Sequence, residues 1–180
     1  DVLRFGVSRT KAYFSSDVSG DENLIFHTKF ANLRESLQEG SRALILSSVP
    51  STTSHSTYDI LADKNHLIVI SECEPGADGD QTSPPVCHIY SFAKATWWVG
   101  QLPKSELETA CVHDDGSMLI LCRDYSLHKC KVDSTNEELT EQWKCTDLDG
   151  SLSICSALGV TYVGTDCCIY VISTLGELQI

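Results

Sequence analysis

The side chains best suited by type and spacing to do chemistry lie between positions 111 and 168. Cys111, His113, Cys122, His128 and Cys130 supply five donors within a span of twenty residues, the chemistry from which a structural zinc site is closed. Their spacing argues against one. No Cys-x-x-Cys pair occurs, and along an extended chain successive side chains point to opposite faces, which leaves His128 and Cys130 as the best pair sharing a face. Two ligands do not close a structural site, so neither a metal nor another cofactor is expected. Cys167 and Cys168 are adjacent; in a strand they point opposite ways, and a joint metal or redox role requires a distorted backbone. Asp114 and Asp115 precede Gly116, where solvated turn acids are ordinary. His113 beside them reads as a hydrogen-bonded turn residue rather than a base. No Gly-x-Ser-x-Gly elbow, Gly-rich phosphate loop or His-Glu-x-x-His pair is present. The chain is therefore expected not to be an enzyme, with no catalytic residue assigned.

Charge and cysteine usage narrow the partners. A net charge of -12 and a pI near 4.7 oppose nucleic-acid binding, which needs clustered Lys and Arg to displace counterions from phosphate. No apolar run reaches the length of a membrane span. The nine cysteines cannot all pair. Cys111, Cys122, Cys130, Cys145 and Cys155 sit among apolar neighbours in predicted strands, where free cysteine acts as a small hydrophobe. With no Asn-x-Ser or Asn-x-Thr acceptor, a cytoplasmic or nuclear location is expected; the alternative is an extracellular or lumenal, disulfide-bearing domain.

The elements that must position these residues come in repeats. ETACVHDDG, SMLILCRD and SLHKCK are followed by SLSICSALG, VTYVGTD and CIYVIST, and Asp124 and Asp166 fall 42 residues apart. In each copy an apolar run ends at an Asp, crosses two residues and resumes. That is a tight hairpin, and a short carboxylate that accepts backbone N–H bonds suits its corner. Asp124 and Asp166 are thus read as structural turn residues, as is His113. Strand-bearing repeats of about 40 to 45 residues are the mark of propeller blades, whose sheets bury their faces only against each other. The fold expected is all-β, a β-propeller segment of about four blades of four-stranded antiparallel sheets. Approximate blades are 1–57, 58–102, 103–147 and 148–180. One exception is Phe30 to Leu37, where apolar residues three and four apart before Gly40 predict a short surface helix.

The pattern resembles the WD40 repeat family over roughly residues 58 to 174, on HDDGSMLILCRDYSLHKCKV and GVTYVGTDCCIYVI. His113 and Asp124 fall where that family places a His before the strand pair and an Asp at the turn. The Gly-His and Trp-Asp dipeptides are absent. WD40-type rings commonly carry more than four blades, so the chain is expected to be part of a larger ring.

Function on such frames lies in loops and edges. The insert Cys73 to Val86, acidic and rich in Gly and Pro, could reach a partner through Glu74, Asp78 and Asp80. Ser48 to Thr57 is a second, hydroxyl-rich loop. Adjacent Trp97 and Trp98 must face opposite ways in a strand, and an exposed one would anchor an interface. These features imply a non-catalytic protein–protein scaffold inside a larger intracellular protein or complex, its partners being other subunits or the remaining blades. The rivals are an extracellular or lumenal ligand-binding propeller and a propeller enzyme with an axial active site.

Overall fold

The computed structural model describes residues 5–7, 11–16, 24–29, 44–50, 55–73, 85–103 and 106–179. All sixteen elements are strands: β1 Phe5–Val7, β2 Lys11–Ser16, β3 Leu24–Lys29, β4 Leu44–Ser48, β5 His55–Ala62, β6 His66–Cys73, β7 Val86–Ser91, β8 Thr96–Gly100, β9 Leu107–Val112, β10 Met118–Cys122, β11 Leu127–Asp133, β12 Glu138–Cys145, β13 Ser151–Ala157, β14 Val160–Thr165, β15 Ile169–Ile172 and β16 Leu178–Gln179. They form four four-stranded antiparallel sheets, each a meander of consecutive strands. The chain is all-β as expected, with no helix among the described residues. The helix expected at 30–37 lies outside them, as do Glu74, Asp78 and Asp80 and residues 51–54 of the expected loop Ser48 to Thr57, of which Ser48 ends β4 and His55 to Thr57 belong to β5.

Two compact units hold two sheets each, residues 1–99 and 100–180. In the first unit, Leu67 and Val69 of β6 join Tyr13, Val49 and Ile60 in a core, with Tyr90, Phe92 and Trp97 packed against it. In the second, Leu119 and Leu121 of β10 meet Leu127, Cys145 and Leu148, and from the fourth sheet Val163 and Ile172. Every residue of β10, MLILC, is buried. A strand inside a stack of sheets is covered on both faces, so its sequence runs apolar without alternation. Each leucine of this core contributes about 1.5–3 kcal/mol relative to exposure.

Turn chemistry sets the register. In the second sheet Asp63 accepts the backbone N–H groups of Asn65 (2.6 Å) and His66 (2.5 Å) and closes the β5–β6 hairpin. In the fourth, the β13–β14 turn carries Leu158 at φ 55° and Gly159 at φ 79°, the left-handed pair a two-residue hairpin demands. Leu158 is 96 % exposed, so no packing offsets a conformation that costs a bulky residue about 1–2 kcal/mol. Leu158→Asn is expected to stabilise the second unit by about 1 kcal/mol in urea unfolding.

Candidate functional site

The β10–β11 hairpin builds a buried polar chain on one face of the third sheet. Asp124 accepts the Ser126 backbone N–H at 3.2 Å and its hydroxyl at 2.5 Å. Ser126 stands just before β11, two residues from His128; Ser126 Oγ lies 2.9 Å from His128 Nε2. His128 Nδ1 meets Glu141 Oε2 at 2.5 Å, reached across the β11–β12 ladder beside its bulge. Ser, His and Glu thus stand at the spacings of a nucleophile triad. The arrangement differs from a triad: the Ser126 hydroxyl donates to Asp124 rather than to His128, and Ser126 is 2 % exposed. This chain of bonds pins the hairpin and the next strand together; a substrate has no access to the oxygen. On the same face, burial together with the negative charges of Glu141 and Cys122 pushes the Cys130 thiol up to about 12. A thiol so held stays protonated and inert.

The opposite face carries the junction between third and fourth sheets. Lys129 is buried, and its ammonium donates to Asp115 Oδ2 at 2.7 Å. Asp115 Oδ1 accepts the Ser117 backbone N–H at 2.9 Å and the Ser117 hydroxyl, and stands 2.9 Å from His113 Nδ1. Burial alone would raise this carboxyl, but the bonds from Lys129, Ser117 and His113 hold it well below the usual carboxylate range. His113 Nε2 lies 3.3 Å from Gly159 O. Asp114 Oδ2 accepts the Gly159 N–H at 2.8 Å. Residues 113 and 114 thereby clamp the β13–β14 turn. At the outer strand, Trp143 Nε1 donates to Thr174 O at 3.1 Å, and its ring lies over Gly176.

Beyond this junction the fourth sheet has one covered and one open face. Ile154, Val163, Tyr170 and Ile172 pack toward the third sheet. Their neighbours along each strand point away, and the register puts Cys155 opposite Tyr162, Tyr162 opposite Val171 and Gly164 opposite Ile169. Ile169 is 67 % exposed, Cys155 and Ala157 are exposed, and Tyr162 and Val171 are half-buried. Leu152, beside a bulge at the edge of this face, is also exposed.

The tryptophans lie elsewhere. Trp97 is half-buried with its ring 5.1 Å from that of Tyr90, and Trp98 is buried. Neither is exposed, so neither offers the free ring an interface anchor needs. At the β14–β15 corner the expected Asp166 is exposed, and Thr165 does the bonding: its Oγ1 accepts the N–H groups of Cys167 (3.2 Å) and Cys168 (3.0 Å). Sequence reasoning missed Ser126, Glu141 and Lys129. Asp124, Ser126 and His128 at every second position were the available signal for part of the polar chain. Nothing local announced Glu141, which lies 13 residues away.

No family model matches the chain, and no curated protein matches it in sequence. Its likeness is to solved structures. A luciferin-regenerating enzyme superposes with a TM-score of 0.63 at 12% identity, over 100% of this chain and 62% of that one. Apo AztD from Citrobacter koseri gives 0.61 at 15% identity, over 99% and 45%. The fold is that of a β-propeller. Dipeptidyl peptidase 4 from Porphyromonas gingivalis gives 0.61 at 11% identity, covering 99% of this chain and 32% of that one. The chain spans 32% to 62% of the length of these propeller proteins.

One expectation is corrected by these neighbours. Missing motifs led to a non-enzyme reading, yet propeller proteins of this shape include enzymes. A site assembled from loops of several blades leaves no contiguous motif, so a sequence scan is blind to it, and one frame hosts many functions.

Proposed function

We propose that the chain is part of a WD40-like propeller that works as a protein-interaction scaffold within a larger cytoplasmic or nuclear protein or complex. The observation that carries the reading is the open face of the fourth sheet, where Tyr162, Ile169 and Val171 line up along two paired strands. Propeller sheets bury such faces against a neighbouring sheet. The occupant proposed is a further four-stranded sheet, from the same protein or a partner subunit. Cys130 and Cys145, buried as small apolar fillers, fit a reducing compartment.

The face is tested in the full-length protein by Ile169→Asp. A covered site is expected to lose about 2 kcal/mol or more of stability, or the associated subunit, whereas a bare surface position changes by no more than about 0.5 kcal/mol. The second arm removes residues 74–84 and measures which proteins copurify. A partner lost with this acidic segment supports the scaffold reading, and an unchanged set counts against the segment's role.

A further inference from the structure

The β14–β15 corner brings two thiols together. Residues 166–168 form a bend rather than a strand, and the Thr165 N–H donates to Cys168 O at 3.0 Å across it. The alternation that would send Cys167 and Cys168 to opposite faces is broken. Thr165 Oγ1 lies 3.7 Å from Cys167 Sγ and 3.3 Å from Cys168 Sγ, so both sulfurs lie close to one oxygen. The Thr165 hydroxyl donates to Cys168 O, 3.1 Å away. Both cysteines are exposed. Asp166 is part of the bend, so a carboxylate stands beside the pair in sequence.

We propose that Cys167 and Cys168 form a two-coordinate bis-thiolate site for a soft monovalent cation, copper(I). Soft thiolates select such an ion, and two ligands suffice for it where zinc needs four. The Asp166 carboxylate beside the pair favours a bound cation. On binding, two S–H bonds break and two S–Cu bonds form. Both protons pass to solvent and copper remains in its +1 state.

The test is anaerobic titration of the full-length protein with copper(I) against a chromophoric copper(I) chelator, beside C167S, C168S, the double variant and C155S. The wild type is expected to hold one tight equivalent with sulfur-to-copper charge-transfer absorption in the ultraviolet. Each single variant at 167 or 168 should bind it about 100-fold more weakly or not at all. C155S, which removes a lone exposed thiol, should match the wild type. Retention of the tight equivalent by the double variant overturns the proposal, as does an equal loss in C155S. Thermal melts of all variants confirm that the loss is not unfolding. The scaffold reading is independent of this outcome.

Discussion

Replacing Gly6 by Ala is expected to destabilise the first unit by roughly 3 kcal/mol, at the upper end of what overpacking a core costs. Strand β1 lies so close to β5 that a Cβ at position 6 would stand 2.5 Å from Ile60 O, 2.9 Å from its carbonyl carbon and 2.7 Å from its Cγ2. The nearest obstacle is backbone. It belongs to a strand held by β6 along its length, and Ile60 is itself buried, so no side-chain rotation opens the space. Gly164 is the control. A Cβ there would come 2.6 Å from Ser153 Oγ, the far end of a short, exposed side chain. Gly164→Ala should therefore cost less than about 1 kcal/mol. Urea unfolding of both variants checks the pair, with hydrogen exchange at β5 and β6 reporting the first unit. Equal costs at the two positions would show that close approach to backbone is not the deciding factor.

What was legible in the sequence follows from how local the cause is. Period-two runs and the 42-residue repeat gave the strands and the propeller because each depends on a few consecutive residues. Asp124 was legible as a turn residue for the same reason: its carboxylate bonds only two positions ahead. The polar chain through His128 and Glu141 depends on a bulge between Lys129 and Cys130 that shifts the register of β12, and no residue type there announces it. The cysteine corner was misread because alternation was carried one residue too far. Thr165 captures two successive N–H groups and bends the chain where the pattern still looked like strand. Lys129 was hidden for a different reason. Nothing local marks it as buried, and only the approach of the β9–β10 turn makes it a buried partner of Asp115.

Asp115→Ala should expose how much that buried pair matters. Lys129 is 4 % exposed, and removing its counter-ion leaves an ammonium with neither water nor carboxylate. Breaking a fully buried pair costs about 3–5 kcal/mol; because Asp115 is half exposed and screened by solvent, about 2–3 kcal/mol is expected here. Replacing both members, Asp115→Ala with Lys129→Met, should recover most of the loss, since an apolar side chain suits the leucine-rich face on which Lys129 lies. A double variant less stable than the single one would show that Lys129 finds water after all. The pH profile gives an independent check. The Asp115 carboxyl is held below its ordinary value in the folded chain, so its contribution is complete above the unfolded value near 4 and drains away as pH falls toward the folded one. Asp63, lowered through His66 and the turn amides against the opposing pull of burial, adds a slope of the same sign. Between about pH 5 and 2 the wild type should lose stability faster than Asp115→Asn, which no longer has that carboxylate to protonate. Parallel curves for the two proteins would mean that Lys129 and Ser117 do not hold the charged form.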